Sequence, residues 1–537
     1  MTEKIKYWLE NIDEKAELEA MSDEEKKESF YRDLEFGTGG LRGVIGLGTN
    51  RMNKYTVRKT TQGLAEEIKS HGEEFKKRGV VIAYDSRNKS TEFADEAARV
   101  LCANGIKTYI FDSLRPTPEL SFSVRYLNCA RGIVITASHN PKKYNGYKIY
   151  GEDGGQLPPS ATDMMIKFIE NIDIFKDVKL GENTAEVISE KVDSAYIDAV
   201  YEQRMNVEIP RDFKVVYTPI HGSGNIPVRR ILKKIGVENL LVVKEQELPD
   251  GNFPTVNVPN PENKDVFDLA IEKAEKEIAD IIIGTDPDSD RIGVVVKDAS
   301  GGYFVLNGNQ TGTLLAEFIL RNLNPMPKDP KIVKTIVTTD MVKSVAKAYG
   351  VKVDNVLTGF KFIGEKIKEY EKSGDTFIFG LEESYGYLKG TYARDKDAVV
   401  AAMLTVQMAA DYKKQGKTLY DGLCELYEKY GCYQQELVSI TCEGMDGVQK
   451  INAIMKKLRE NPPAYAKQVL DYTKEIDGLP KSNVIKLILE DGWLVARPSG
   501  TEPKIKIYIE IFGKDVNSAK ERIEKLKKEF ENEYIEK

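Results

Sequence analysis

Cysteine and histidine are scarce in this 537-residue sequence. It contains five cysteines, an odd number with no C-x-x-C pair among them, and only three histidines. Cysteines so widely spaced argue against both a disulfide framework and a structural zinc site. We therefore expect reduced thiols and a cytoplasmic protein.

The sequence also lacks an excess of positive charge and any long apolar run. Its net charge of −7 disfavours a broad nucleic-acid-binding surface, so an anionic ligand would need locally concentrated positive charge. The longest apolar run, Ala398 to Ala410, is shorter than the roughly 20 residues that span a bilayer, and it predicts a buried helix. The charged N-terminal segment does not resemble a secretion signal. We expect neither a nucleic-acid nor a membrane partner.

Short β-rich segments alternate with longer helical patterns along most of the chain, which predicts α/β units with buried, mainly parallel strands. We predict strands within residues 79–87, 215–224, 280–291, 332–340 and 376–387. Several of these segments end in polar loops, and loops that follow parallel strands are expected at one edge of the sheet. The C-terminal part instead indicates hairpin-connected strands before a Lys/Glu-rich helix, which is typical of a smaller α+β domain.

A serine stands directly before a histidine in the segment GIVITASHNPKKYNGYK. Because adjacent residues of an extended segment point to opposite faces, we predict that Ser138 and His139 do not act on one another. The G-x-S-x-G pattern is absent, and only His71 and His221 remain as remote partners. A hydrolase dyad is therefore disfavoured, while a serine that caps a hairpin and a displayed functional serine both stay open.

Three aspartates alternate in the segment GTDPDSDR, directly after an apolar strand. In an extended chain this spacing turns Asp286, Asp288 and Asp290 to one side, where unpaired carboxylates repel each other. A hard divalent cation would relieve that repulsion, and three carboxylates leave positions for water or a phosphate oxygen, which suits Mg²⁺. The alternative is a solvated acidic turn.

The segment RPSGTEPK carries the groups that grip a phosphate. Arg497 offers a guanidinium fork, Ser499 and Thr501 offer hydroxyls, and Gly500 exposes backbone N–H groups. A second glycine-rich segment, FGTGGLRG, contains Arg42 but matches neither G-x-G-x-x-G nor the P-loop, so nucleotide binding is not supported.

Two further loops carry polar side chains. Glu382 and Ser384 in GLEESYGY have the hydrogen-bonding groups to bind a polyol, and Lys396 lies in the nearby segment RDKDA. Taken alone, each is more often a solvated surface loop.

Together and in this order, the motifs TASHNP, DPDSDR, EESYGY and RPSGTEP resemble those of the α-D-phosphohexomutase family, over most of the chain. The opening EFGTGGLRGVIGLGTN and the segment EESYGY are most similar to the phosphoglucomutase/phosphopentomutase-like branch. The resemblance implies an α/β fold of four domains around a central cleft. Three are similar α/β domains with mixed sheets, and the fourth is a C-terminal α+β domain. We place them at residues 1–205, 206–314, 315–437 and 438–537.

The resemblance also implies an intramolecular phosphotransferase of the isomerase class. Ser138 would carry a phosphoryl group and interconvert glucose 1-phosphate and glucose 6-phosphate. Phosphopentomutase and phosphomannomutase activities, which use the same mechanism, are the alternatives. Mg²⁺ would be the cofactor and glucose 1,6-bisphosphate the activator and intermediate. We expect small sugar phosphates as ligands and a monomer or homodimer.

The same resemblance assigns roles to individual residues. Those implied as catalytic are Ser138, Lys148, Lys396, Arg42 and His139. Those implied to bind substrate are Thr358, Gly359, Glu382, Ser384, Arg291, Arg497, Ser499, Gly500 and Thr501, and the metal would be held by Ser138, Asp286, Asp288 and Asp290.

The general acid/base stays open between two lysines. Either Lys148 or Lys396 would need a pKa below the ordinary value of about 10.4 to act as a base near neutrality. One branch of the family has a histidine where this chain has Gly386, so that proton shuttle does not carry over.

Overall fold

The computed structural model describes residues 2–37, 39–442, 447–499 and 504–535, and these residues form four β-sheets with flanking helices. No helix in the described ranges combines the length and the apolarity that crossing a membrane demands. The apolar run at residues 398–410 lies within a helix whose side chains are almost all buried, so the prediction made for it is confirmed.

The N-terminal domain contains a six-stranded mixed sheet in the order β1-β5-β4-β2-β3-β6. Strands β2, β3, β4 and β6 are parallel, whereas β5 and β1 are antiparallel additions at one edge. The strands are β1 (Gly40–Val44), β2 (Val80–Tyr84), β3 (Thr108–Phe111), β4 (Arg131–Ile135), β5 (Tyr144–Tyr150) and β6 (Glu186–Ile188). The helices are α1 (Thr2–Asn11), α2 (Lys15–Ala20), α3 (Asp23–Phe30), α4 (Lys54–Ser70), α5 (Glu73–Arg78), α6 (Ser90–Ala103), α7 (Thr117–Tyr126), α8 (Pro159–Glu170) and α9 (Glu190–Tyr201).

The second domain has a five-stranded sheet in the order β11-β10-β9-β7-β8, in which β7, β8 and β9 are parallel. Its strands are β7 (Lys214–Thr218), β8 (Asn239–Val242), β9 (Ile281–Thr285), β10 (Ile292–Lys297) and β11 (Tyr303–Leu306). Its helices are α10 (Asn225–Lys234), α11 (Lys244–Glu247) and α12 (Asp268–Glu277), with a 3₁₀ turn at Lys264–Phe267.

The third domain has a four-stranded sheet in the order β13-β12-β14-β15, again with a parallel core. Its strands are β12 (Pro330–Thr335), β13 (Lys352–Val356), β14 (Thr376–Glu382) and β15 (Gly386–Lys389). Its helices are α13 (Gly308–Asn322), α14 (Met341–Ala348), α15 (Phe360–Ser373), α16 (Ala398–Lys414) and α17 (Leu419–Tyr430).

The fourth domain is an antiparallel five-stranded sheet in the order β16-β20-β19-β18-β17, covered by two helices. Its elements are β16 (Cys432–Thr441), α18 (Gly447–Glu460), β17 (Gln468–Asp471), β18 (Ile485–Ile488), β19 (Gly492–Pro498), β20 (Lys504–Gly513) and α19 (Val516–Tyr534). An apolar cluster that includes Leu357 of the third domain and Trp493 of the fourth joins these two domains.

The first three domains repeat one hairpin. In each, a strand that is parallel to its neighbour on one side (β4, β9 and β14) ends in a polar loop and returns as an antiparallel strand (β5, β10 and β15). Each loop contains one non-glycine residue with a left-handed backbone: Ser138 with φ 51°, Ser289 with φ 52° and Tyr385 with φ 65°. Such conformations are uncommon outside glycine and concentrate at functional sites.

Two of the domain boundaries from the sequence fall inside elements. The boundary after residue 314 lies within α13, and the boundary after residue 437 lies within β16. A domain does not end in the middle of a packed helix or a paired strand, because such a boundary would divide the hydrophobic core or the hydrogen-bonded strand pairing of that domain. We therefore propose boundaries in the loops before α13 and before β16, while the boundary after residue 205 lies between α9 and β7.

Candidate functional site

A cleft of about 910 Å³ lies where the four domains meet. Twelve of the site residues named from the sequence line it: Arg42, Ser138, His139, Lys148, Asp290, Arg291, Thr358, Gly359, Glu382, Ser384, Lys396 and Arg497. Asp286 and Asp288 are fully buried just beneath its wall. Ser499 is described but is not among the lining residues, and Gly500 and Thr501 lie outside the described residues.

Ser138 occupies the loop between β4 and β5 and is held there mainly by its backbone. Its N–H donates to Thr136 Oγ1 at 2.8 Å, and its carbonyl oxygen accepts from Arg87 Nε at 3.2 Å. The Ser138 hydroxyl donates to Asp286 Oδ2 at 2.9 Å, across the boundary between the first two domains. The serine and the aspartate loop are therefore in direct contact.

The expectation that Ser138 and His139 point away from each other is wrong. Ser138 Oγ lies 3.1 Å from His139 Nδ1, because the left-handed backbone at Ser138 ends the extended conformation on which that expectation rested. The pair still lacks the third member of a hydrolase triad, since no carboxylate among the described residues hydrogen-bonds to the imidazole. Burial, together with the positive charges of Arg291 and Arg42, lowers the pKa of His139 well below its usual value, so the ring is neutral.

The three aspartates converge as predicted, although the chain that carries them is a turn rather than an extended segment. One carboxylate oxygen of each lies within 4.8 Å of the others, and all three side chains are buried. The left-handed backbone at Ser289 closes the turn that brings Asp286, Asp288 and Asp290 together.

This cluster has the properties of a metal site. Asp288 Oδ1 and Asp290 Oδ1 are buried and accept no hydrogen bond from the described residues. Burial and repulsion from the two neighbouring carboxylates raise the pKa of Asp286 well above its usual value. Unpaired buried carboxylate oxygens are costly, and hard oxygen donors in such a cluster fit Mg²⁺. The residues therefore fit a divalent cation.

Two lysine side chains lie beside the three aspartates. Lys148 Nζ lies 3.2 Å from Asp288 Oδ2, and Lys396 Nζ lies 3.0 Å from Asp290 Oδ2. Although burial opposes it, attraction to Asp290 and Asp395 raises the pKa of Lys396 above its ordinary value. Lys396 therefore does not have the lowered pKa that a lysine base requires, and its side chain stays protonated and positively charged.

Gly386 explains how Lys396 reaches this place. A β-carbon at residue 386 would lie 2.1 Å from Lys396 Cδ and 2.7 Å from its Cγ, closer than real atoms approach. The lysine side chain thus fills the space that any side chain at 386 would occupy. This chain therefore has lysine methylenes where the resemblance allows a histidine.

The loop after β14 and the loop before α15 are joined at the cleft wall. The Gly359 N–H donates to Glu382 Oε1 at 2.9 Å, and Thr358 and Ser384 line the cleft beside them. Burial, with repulsion from Glu383, raises the pKa of Glu382 to about 7. A half-neutral carboxyl of this kind both donates and accepts hydrogen bonds, as the recognition of sugar hydroxyls requires.

The fourth domain contributes a concentration of positive charge. Arg497 on β19 stands directly opposite Lys506 on β20, and Lys361 of α15 also lines the cleft. Like charges opposite each other on paired strands are destabilising, so this arrangement calls for an anion between them. Burial, with repulsion from Arg497, lowers the pKa of both lysines.

Among the residues of this site that sequence reasoning missed, four are charged groups whose contacts are clear. Lys361 and Lys506 add charge beside Arg497, Arg87 supports the serine loop, and Glu262 pairs with Arg291 at 2.6 Å. Only Lys506 left a usable signal, because the hairpin predicted around RPSGTEPK places it near Arg497. The other three depend on contacts between distant segments.

Family models agree with this architecture. Models of the phosphoglucomutase/phosphomannomutase family match the chain domain by domain. Alpha/beta/alpha domain I matches residues 33–175, domain II matches 194–302, domain III matches 307–430, and the C-terminal domain matches 439–529.

Curated relatives are similar over nearly the whole length. A phosphoglucomutase of Staphylococcus aureus strain USA300 is 40% identical over 527 residues, which cover 94% of this chain and 95% of that protein. The phosphoglucomutase of strain N315 is 39% identical over 539 residues, covering 96% and 97%.

Solved structures support the fold at lower identity. A phosphoglucomutase/phosphomannomutase family protein of Burkholderia thailandensis has a TM-score of 0.71 at 21% identity, covering 93% of this chain and 96% of that one. Parafusin, a phosphoglucomutase of Paramecium, also has a TM-score of 0.71, at 20% identity, covering 94% and 95%. The four domains, the mixed sheets of the first three and the similarity along the whole length confirm the predicted fold and resemblance: the chain belongs to the phosphoglucomutase/phosphomannomutase family.

Proposed function

We propose that this enzyme interconverts glucose 1-phosphate and glucose 6-phosphate through a phosphorylated Ser138 and glucose 1,6-bisphosphate. The observation that carries the proposal is the contact of Ser138 Oγ with Asp286 Oδ2 at 2.9 Å, in a cleft whose fourth-domain wall is cationic. The region around Ser138 and Asp286 suits a transferring phosphoryl group, and the cationic wall of the fourth domain suits a second phosphate. The relatives at 40% identity are named phosphoglucomutases, which favours glucose.

In the first half-reaction the free hydroxyl of the sugar monophosphate attacks the phosphorus carried on Ser138. The bond from phosphorus to Ser138 Oγ breaks, a bond to the sugar oxygen forms, and the bisphosphate results. Arg497, Lys506 and Lys361 hold the phosphate that does not react, since three cations line that part of the cleft.

In the second half-reaction the bisphosphate has turned over within the cleft. Its other phosphoryl group passes back to Ser138 Oγ, the bond from phosphorus to the sugar oxygen breaks, and the isomeric monophosphate leaves. Glu382 and Ser384 hydrogen-bond to hydroxyl groups of the sugar in both orientations of the bisphosphate. A cleft of about 910 Å³ is within the range of small-molecule sites and leaves room for this reorientation.

Charge neutralisation and proton movement complete the mechanism. Mg²⁺ on Asp286, Asp288 and Asp290 would supply positive charge against the transferring phosphoryl oxygens. In the first half-reaction Lys148 takes the proton of the attacking sugar hydroxyl and passes it to Ser138 Oγ as the phosphoryl group leaves that oxygen. In the second it takes the proton of Ser138 Oγ and gives it to the leaving sugar oxygen. The raised pKa of Lys396 favours this assignment, because Lys396 keeps its charge. Arg42, beside the serine loop, and neutral His139 assist as hydrogen-bond donors.

Substrate preference is tested by comparing kcat/KM for glucose 1-phosphate, mannose 1-phosphate and ribose 1-phosphate, each with its bisphosphate as primer. We expect the value for glucose to exceed the other two by at least about tenfold, because a misplaced sugar hydroxyl leaves the hydrogen-bonding groups of Glu382 and Ser384 unpaired. A preference for ribose or mannose would establish one of the alternative mutase activities. Steady release of inorganic phosphate without isomerisation would contradict a mutase of any kind. Cytoplasmic location and a monomer or homodimer stay predictions.

Replacement of Gly386 by alanine is expected to lower kcat by about 10- to 100-fold with a smaller change in KM. The added β-carbon would lie 2.1 Å from Lys396 Cδ, so the lysine side chain has to move and its ammonium is displaced from Asp290. The control is the Lys396→Met variant with and without Gly386→Ala. If the glycine acts through Lys396, adding Gly386→Ala to Lys396→Met changes kcat little. If the kcat losses of the two single variants multiply in the double variant, Gly386 does not act through Lys396.

A further inference from the structure

One loop of the third domain is held by side chains of the fourth. It comprises residues 336–340, between β12 and α14, and we call it the docking loop. Lys486 of β18 donates from Nζ to the Ile336 carbonyl at 2.7 Å, and Gln435 of β16 donates to Thr339 Oγ1 at 3.0 Å. The fourth domain therefore contacts the docking loop near both of its ends.

Glu510 of β20 lies at the centre of this contact. It is 1% exposed, and N–H donors of three segments meet on its carboxyl group. The Asp340 N–H and Trp493 Nε1 both donate to Oε1 at 2.9 Å, and Gln435 Nε2 donates to Oε2 at 2.8 Å. Removal of this side chain would leave buried donors of both domains without their acceptor, which is costly. Glu510 therefore fixes the docking loop against β16 and β19.

The strand pair that carries Glu510 also carries the cations of the fourth-domain wall. In the register of β19 with β20, Trp493 lies opposite Glu510 and Arg497 lies opposite Lys506. Residues four apart on a strand point to the same face, so both pairs share one face, about 13 Å apart along the strands. Tyr508 lies between them on that face and lines the cleft. Anchoring the strands at Glu510 thus sets the place of Arg497 and Lys506, which we call the phosphate pair.

The docking loop contacts the sugar-recognition loop on its other side. Thr338 Oγ1 donates to Glu383 Oε2 at 3.3 Å, and Thr335 Oγ1, at the end of β12, donates to the same oxygen at 3.1 Å. Glu383 stands between Glu382 and Ser384, the residues proposed to bind the sugar hydroxyls. The docking loop therefore lies between the group that anchors the phosphate pair and the loop that recognises the sugar.

We propose that Glu510 is a positioning residue for substrate binding: through the docking loop it holds the phosphate pair at the distance from residues 382–384 that one sugar phosphate spans. The inference rests on the proposed function, in which the two groups bind opposite ends of the same substrate.

Replacement of Glu510 by alanine is expected to raise KM at least about tenfold while kcat falls less than about threefold. The phosphate held by the phosphate pair does not react, so its contacts stabilise the ground state and the transition state alike, and their weakening appears in KM. Both constants are measured for the sugar phosphate that the wild type prefers, with its bisphosphate as primer. An unchanged KM, or a loss in kcat as large as the rise in KM, would overturn the proposal.

Two further variants separate the contact from a general loss of structure. Glu510→Gln keeps an acceptor oxygen for Asp340 and Trp493 and should bring KM to within about threefold of the wild type. Lys486→Met removes another bond to the docking loop, at Ile336, and should raise KM by at least about threefold with kcat kept. An unchanged KM in Lys486→Met would contradict the part assigned to the docking loop.

The matched control is Tyr534→Phe. It removes a hydrogen bond that lies within the fourth domain, from the buried Tyr534 hydroxyl to the Asn461 carbonyl at 2.8 Å. The unfolding temperature of this variant should fall, but its KM should equal that of the wild type. A rise in KM as large as that of Glu510→Ala would assign the effect to stability of the fourth domain and refute the positioning role.

Inorganic phosphate tests the inference without a sugar. Lys361 belongs to the third domain and lines the same part of the cleft as the phosphate pair, so the three cations converge only if the two domains are correctly docked. A phosphorus NMR titration should show that Glu510→Ala binds inorganic phosphate at least about threefold more weakly than the wild type. Equal affinity would overturn the positioning role whatever the substrate. A wild type that turns over none of the three sugar phosphates would instead contradict the proposed function.

The contact itself is tested by amide hydrogen exchange. In Glu510→Ala, a peptide that contains Asp340 should exchange at least about fivefold faster, because the Asp340 N–H loses its acceptor. A peptide covering β2 in the first domain should exchange as in the wild type. Exchange at Asp340 that stays as slow as in the wild type would refute the role of Glu510 in holding the docking loop.

Discussion

Replacement of Ser138 by alanine is expected to lower turnover of glucose 1-phosphate by about 10⁴-fold or more, because the phosphoryl group then has no oxygen to carry it between the two half-reactions. The loop itself should persist. Its supports are the Ser138 N–H bond to Thr136 and the Arg87 bond to the Ser138 carbonyl, and neither uses the serine side chain. The loss of one side-chain hydrogen bond to Asp286 should change the free energy of unfolding by only about 1 kcal/mol.

Three measurements separate this outcome from simple loss of structure. Turnover is followed in the presence of bisphosphate, the fold by circular dichroism and the unfolding temperature, and phosphorylation by intact mass after incubation with glucose 1,6-bisphosphate. The wild type should gain one phosphoryl group and the variant none. Ser86→Ala, a change in another loop of the same domain, is the matched control and should keep full turnover. A Ser138→Ala enzyme with more than about one tenth of normal turnover would refute the carrier role.

The sequence allowed the convergence of the three loops to be predicted for a physical reason. Residues that follow parallel strands are carried to one edge of a sheet, so Ser138, Asp286 and Glu382 had to emerge at the ends of β4, β9 and β14. That the three sheets then face one cleft was an implication of the family resemblance, and the described structure agrees with it.

The exact backbone in those loops was beyond sequence reasoning. The alternation rule for strands does not hold at Ser138 or in the aspartate loop, because left-handed backbone at Ser138 and Ser289 ends the strand geometry at these points. No pattern of residue types marks such a change, because serine adopts this conformation only when surrounding contacts enforce it. The three aspartates converge even though their chain is not extended. For Ser138 and His139, however, the departure from extended backbone reverses the predicted orientation of the two side chains.

Contacts between segments far apart in the chain were also unpredictable. The place of the Lys396 side chain depends on the missing side chain of Gly386, and Lys361 meets Arg497 only after the third and fourth domains pack together. The proposed shift of two domain boundaries has a similar origin, because a change in composition does not reveal where α13 and β16 begin.

Removal of divalent cations by chelation and gel filtration is expected to lower turnover by at least about 100-fold, and added Mg²⁺ should restore it. The reason lies in the aspartate loop, where two buried carboxylate oxygens accept no hydrogen bond from the part of the chain that the structure describes, and where the pKa of Asp286 is raised. With the cation present at about 100 times its dissociation constant, the native state gains about 2.7 kcal/mol. The apparent unfolding temperature should therefore rise with Mg²⁺ concentration.

The variant Asp288→Asn tests whether this loop is the site. The Asp288 carboxylate faces Lys148 and Thr117 through Oδ2, and its Oδ1 has no hydrogen-bond partner among the described residues. The amide of asparagine keeps the size of this group but loses the charge that a cation needs. Half-maximal reactivation should then require at least about tenfold more Mg²⁺. Asp265→Asn, an exposed position of the same domain, should behave as the wild type. Turnover that survives chelation, or an equal Mg²⁺ requirement in both variants, would contradict the site.

Ca²⁺ should not replace Mg²⁺ in turnover, because Ca²⁺ favours six to eight oxygen ligands at longer distances and three carboxylates from one tight turn suit the smaller ion.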